Sequence, residues 1–136
     1  TDLECVCVMH EDDPLAKKQV ITPADLDGRS VVSITGQHMV DRQLDMLLSK
    51  ANVTVERHLS SYFFAIARNI IAAGTALAII DPTNGMATLN DGVIWRKFAP
   101  RIIHELAIIT PDGQPMGQTA AGLYQLITTS LQKLIV

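Results

Sequence analysis

The chain has 136 residues, 48% of them hydrophobic and 18% charged, with a formal net charge of −3. Those totals describe one globular domain and exclude a disordered segment. They also exclude a surface with a general attraction for nucleic acid or acidic lipid. No apolar run reaches the roughly 18 residues that a membrane-spanning helix needs. The first strand is expected over residues 3–9, where ECVCVMH is apolar and β-branched. Cys5 and Cys7 share a face of it, a spacing that favours packing over bridging and suits a reducing compartment. The stretch HEDDPLAKK is a polar loop broken by Pro14. TPADL follows as a one-turn helix, with Thr22 as N-cap and Pro23 at its first position.

SVVSIT, residues 30–35, is a second buried strand. Gly36 and Gln37 then open a helix to about Ala51, whose apolar face is Val40, Leu44, Leu47 and Leu48. VTVERHL, residues 53–59, alternates as a half-exposed strand does. Ser60 and Ser61 are cap candidates for a helix over 62–73, which Gly74 closes. The run 77–80 is a strand buried on both faces and stopped by Asp81-Pro82. DPTNG is a turn, and MATLN a short helical turn. Further strands are expected over 93–98 and 103–110. A last amphipathic helix over 117–135 carries Leu123, Leu126, Ile127, Leu131 and Leu134.

Strands alternating with helices imply an α/β fold with a mainly parallel, twisted sheet flanked by helices; strands 5–9, 30–34, 53–59 and 77–80 form it. In such sheets ligands bind beyond the carboxyl ends of the strands. Parallel strands would collect Thr35, Gly36, Gln37, Ser60, Ser61 and Asp81 on one rim. The helix start after Thr35-Gly36-Gln37-His38 offers unpaired N–H groups that suit a carboxylate, or it is a plain cap. Ser60 and Ser61 can bind or cap. Asp81 can pair with an ammonium or guanidinium, or simply form an Asx turn before Pro82. His10, His38, His58 and His104 show no ligand spacing, and Cys5-x-Cys7 lacks a second ligand pair, so no metal site and no cofactor are expected. No nucleophile elbow, phosphate loop or dinucleotide fingerprint occurs, so no catalytic residue is assigned and the chain is not read as an enzyme.

Two stretches carry a family resemblance. DDPLAKKQVITPADLDGRSVVSI is similar to the "HPLA…V…DL.G" segment of LysR-type transcriptional regulators, and IIAAGTALAIIDP resembles their "LVAAGLGVALV" segment. Ala76 stands where that segment has its second Gly, and Thr75 replaces a usual apolar residue. The Asp-Pro ending places the resemblance nearest the branch that answers amino acids and opines. The resemblance implies a periplasmic-binding-protein-like (type 2) effector domain, truncated at the N-terminus. About 5–98 would be its second lobe and about 103–136 the returning strand and helix of its first. It implies a small-molecule sensor in a homo-oligomer, cytoplasmic, with no membrane partner. DNA would be bound only through a helix-turn-helix absent from this chain. The effector would be a small carboxylate, amino-acid-derived, held by Thr35, Gly36, Gln37, His38, Ser60, Ser61 and Asp81. The alternative is a solute-binding protein or small enzyme on the same two-lobed fold.

Overall fold

The computed structural model describes residues 1–35 and 38–133. Its strands are β1 (Asp2–Glu4), β2 (Val6–His10), β3 (Val20–Ile21), β4 (Ser33–Ile34), β5 (Ser60–Ser61), β6 (Ala78–Ile80), β7 (Val93–Phe98) and β8 (Ile103–Glu105). Its α-helices are α1 (Met39–Lys50), α2 (Phe64–Ala72), α3 (Pro82–Gly85) and α4 (Gln118–Gln132). Short 3-10 turns occupy Pro14–Lys17 and Pro23–Leu26.

Four strands form the central sheet in the order β3-β7-β2-β6. A parallel bridge between Val31 and Leu77 carries the sheet on from β6 to the 30–34 segment, and β4 pairs parallel with β5. β2 is antiparallel to both β6 and β7, while β3 is parallel to β7. Every strand of this sheet except β2 therefore runs the same way. The mainly parallel expectation holds, with one correction: the first strand is inverted. It has no α/β crossover to its neighbours, and direct pairing of long apolar strands can run either way.

The expected strand over 3–9 is also divided. β1 pairs antiparallel with β8 in a separate two-stranded ladder, and the chain crosses into the main sheet at Cys5. The backbone of Cys5 is held there by a 2.8 Å bond to the carbonyl of Ile102. Within the expected strand 53–59 the ladder is reduced to a bridge at Glu56, and the short β5 follows it. Its alternation is real, since Val53 and Val55 pack on the core while Thr54 and Glu56 face outward. As an edge it has a partner on one side only. The helical turn placed on MATLN lies earlier, at α3, because Asp81 caps it and Pro82 fits its first position. Ser60 and Ser61 lie in β5 rather than capping α2, whose N-cap is Phe63.

Strand alternation splits the core into two layers. Cys5, Cys7 and Met9 point to one face, beneath Val40, Leu44 and Leu48 of α1. Val6 and Val8 point to the other, beneath Ala67 and Ile71 of α2. Ala76 is buried in that second layer, so the missing Gly is accommodated by packing. Gly74 ends α2 at φ +81°, the left-handed turn a C-cap glycine supplies. α4 contains no buried residue, and Leu123, Leu126 and Ile127 are exposed within this chain.

Burial, reinforced by the nearby Asp81 carboxylate, pushes the Cys5 thiol up to about 12; burial and then Asp13 do the same for Cys7. A thiol that far up holds almost no thiolate near neutrality. A thiol-specific reagent at about pH 8 is therefore expected to label neither cysteine in the folded chain and both in denaturant. Native labelling at either position would contradict this burial.

Candidate functional site

Because β4, β5 and β6 run parallel, Thr35, Ser61 and Asp81 emerge from neighbouring carboxyl ends on one rim of the sheet. Thr35 and Ser61 are joined directly. The Thr35 amide donates to the Ser61 carbonyl at 2.9 Å, and the Thr35 hydroxyl donates to the same oxygen at 3.2 Å. The hydroxyl proton of Thr35 is thus taken, and its oxygen remains as an acceptor. Ser61 is buried; its Oγ accepts from the Phe63 amide at 3.1 Å and donates to the Phe63 carbonyl at 2.8 Å. That pair of bonds fixes the corner from β5 into α2. Ser60 is exposed at the same corner. Gly36 and Gln37 lie outside the described residues.

Asp81 is only 2% exposed, and its carboxylate accepts from the amides of Thr83 and Asn84, the Asn84 side-chain amide and the Thr83 hydroxyl. The Asx-turn reading of Asp81 accounts for all of these bonds.

His38 begins α1 as its N-cap, with Nδ1 accepting from the Val40 amide at 3.2 Å. Its ring stacks on His104 of β8, centroids 5.5 Å apart and planes 26° from parallel. Phe64, the first residue of α2, meets both imidazoles edge-on, at 4.8 Å and 5.2 Å. Burial, and then the His104 ring, hold the His38 imidazole below its ordinary pKa. Beside this cluster the Gln43 side chain donates to the Ile103 carbonyl at 2.7 Å and accepts from the Ile103 amide at 3.0 Å. A concavity of about 590 Å³ opens here, lined by His38, Met39, Gln43 and His104 among others. A larger one, about 670 Å³, runs along β7 and the 86–92 loop and touches none of the expected site residues.

His104, Phe64 and Gln43 are the residues that sequence reasoning did not place at this rim. His38 and His104 are far apart in the chain, and no short-range spacing links them. The pairing of β8 with β1 and the Gln43–Ile103 bonds together bring His104 over the start of α1. Among the described residues, no three His, Cys, Asp or Glu side chains are grouped to hold a metal.

The profile of the LysR substrate binding domain matches residues 1–132. The chain belongs to the LysR substrate-binding domain family. A LysR substrate-binding domain is consistent with the mixed α/β architecture described above. The chain is 27% identical over 139 aligned residues to the transcriptional activator protein LysR of Escherichia coli, covering 93% of this chain and 43% of that protein. It is 24% identical to the regulatory protein NocR of Agrobacterium tumefaciens over 110 residues, 81% of this chain and 37% of that one. It spans less than half the length of these relatives. Among solved structures it is similar to the regulatory domain of Synechocystis CcmR in complex with 2-PG, at TM-score 0.68 and 14% identity over 95% of this chain and 63% of that one. It is also similar to the reduced form of OxyR, at TM-score 0.63 and 18% identity, covering 98% and 61%. As in other LysR substrate-binding domains of known structure, α/β packing sets the frame; these last two likenesses bear on the fold alone. No helix among the described residues is long and apolar enough to cross a membrane.

Proposed function

We propose that this chain is the effector-sensing part of a LysR-type transcriptional regulator, and that it holds a small, amino-acid-derived carboxylate at the Thr35 rim. The observation that carries the reading is the Thr35–Ser61 junction beside the start of α1, at the carboxyl ends of parallel strands. It leaves the Thr35 hydroxyl oxygen as an acceptor for the effector's ammonium group, next to a helix N-terminus that suits its carboxylate, the position where α/β sheets take ligands. Gly36, Gln37, His38 and Ser60 complete the site in this reading. Asp81 belongs to it as the wall that shapes the neighbouring turn. Family membership and relatives that are themselves regulators support sensing over catalysis. DNA binding would reside in a separate helix-turn-helix, in a cytoplasmic homo-oligomer. Residues 5–98 would be the second lobe and 103–136 the returning part of the first. The exposed apolar side of α4 fits a helix that packs on the remainder of that first lobe.

The test is calorimetry on the full-length regulator against a panel of amino acids and opines, with Thr35→Val and Gln37→Ala variants. One charge-assisted hydrogen bond contributes about 1.5–3 kcal/mol, so each variant is expected to weaken binding about tenfold or more. A ligand that both variants bind like wild type would move the site elsewhere on the fold.

A further inference from the structure

We propose that the stacked His38–His104 pair is a proton-operated latch between α1 and the ladder strand β8, closed while the His38 imidazole is neutral and released when that ring takes up a second proton. This goes beyond effector sensing, and it stands whether or not a ligand occupies the Thr35 rim.

Three observations carry it. First, Nδ1 of His38 is an acceptor, bonded to the Val40 amide. The proton of the neutral ring is therefore on Nε2, and a second proton could arrive only at Nδ1. It would place a donor against a donor and remove the side-chain cap of α1. A cation at a helix N-terminus is also opposed by the helix dipole. Second, the ring lies 5.5 Å from His104 and nearly parallel to it, so a charge on one disfavours a charge on the other. Third, the pair sits where the β1–β8 ladder meets α1, since among the described residues β8 pairs only with β1 and it reaches α1 through His104 and the Gln43–Ile103 bonds. Breaking the stack therefore acts on a junction between elements.

The surrounding charges oppose one another. Asp41 on α1 and Asp81 after β6 favour the imidazolium, while burial and His104 disfavour it and prevail. Asp2 of β1 and Glu105 of β8 line the adjacent concavity, and Phe64 brings no charge from α2. A histidine held below its ordinary value binds fewer protons folded than unfolded. The stability of the neutral, capped form is then present above the ordinary histidine range and is lost as pH falls through it.

The test is amide hydrogen exchange by NMR on the whole chain from about pH 8 to about pH 5, the span over which histidines change charge. Rates are normalised to the intrinsic rate at each pH. The Val40 amide is expected to lose about fivefold of its protection at the acid end, the factor that one side-chain N-cap carries. The Ile103 amide should lose protection with it, while the β2–β7 amides keep theirs and report an intact fold. His38→Asn supplies a capping oxygen that does not titrate, so its Val40 protection is expected to be flat with pH. His104→Phe keeps a stacked ring without the like charge, so its Val40 midpoint should move to higher pH. A wild-type Val40 amide indifferent to pH overturns the latch. So does an equal acid loss in His38→Asn, or a midpoint that His104→Phe leaves in place.

Discussion

Truncating Asp91 is expected to destabilise the chain more than removing the arginine it serves. Arg68 projects from α2 into the body and is 2% exposed. Its guanidinium donates to the carbonyls of Asn84 and Gly85 at 3.2 and 3.0 Å and to the Asp91 carboxylate at 3.0 Å, while Nε has no partner. One cation thus ties α2 to the end of α3 and to the turn before β7. Asp91→Ala leaves that charge buried against two carbonyl dipoles, and it also strips the Val93 amide of its acceptor. Loss of one partner from a fully buried pair costs about 3–5 kcal/mol. The Asp91 side chain is 23% exposed, so water reaches its end of the pair and the expected loss is about 2–3 kcal/mol. Arg68→Met removes the desolvated charge together with its bonds and fills similar volume. Two carbonyl oxygens go unpaired, for a loss of about 1–2 kcal/mol. Urea unfolding with an unchanged slope gives both values. If Arg68→Met proves the more damaging, the buried guanidinium is a net stabiliser and this ranking is wrong.

Gly85→Ala is the second large effect, expected at about 1–3 kcal/mol of lost stability by overpacking. Gly85 ends α3 over the centre of the sheet. A Cβ there would fall 2.4 Å from Cγ2 of Val6, 3.3 Å from Cγ1 of Val8 and 3.4 Å from Cγ1 of Ile80. Val6 cannot yield, because β2 is bonded on both sides, to β6 and to β7. Alanine would gain helix propensity of up to about 1 kcal/mol over glycine, too little to offset a sub-van-der-Waals contact with a core strand. Lifting α3 instead would pull the Gly85 carbonyl from Arg68. A double-mutant cycle isolates the clash: Gly85→Ala should cost clearly less in a Val6→Ala background, which removes the methyl it strikes. Equal costs in both backgrounds would place the strain elsewhere.

What the sequence made legible follows from how local each cause is. β7 lies on the expected residues, and α1 shows Val40, Leu44 and Leu48 inward as the helical period requires. Burial alternates along 53–57 as read and the backbone of 53–59 bonds to residues 28–33, but only Glu56 forms a ladder bridge there, because pairing depends on a neighbour and not on the pattern. The apolar run 3–9 gave no sign of changing partners at Cys5, since both halves are equally suited to a sheet. At the site, Thr35 and Ser61 were placed together by strand direction alone. Asp81 proved readable in its Asx form, as a carboxylate just before a proline. His104 was unreadable, because its neighbour His38 is fixed by tertiary pairing. Arg68 is the lone charge on a mostly apolar helix, a signal visible in FAIARNIIA that only its partners explain.

The inverted central strand also bears on the order of assembly. β2 precedes every other strand of the main sheet in the chain, yet Val6 finds its partners at Ile80 and Lys97. As the polypeptide emerges from a ribosome, this stretch of Val, Cys and Met must wait for residues 78–80 before one edge is hydrogen-bonded and for residues 93–97 before the other is. Pairings so distant in sequence close slowly, and an unpaired apolar strand is what chaperones bind and what aggregates grow from. Low soluble yield of weakened variants would then report the waiting time of β2 rather than damage to the proposed effector rim.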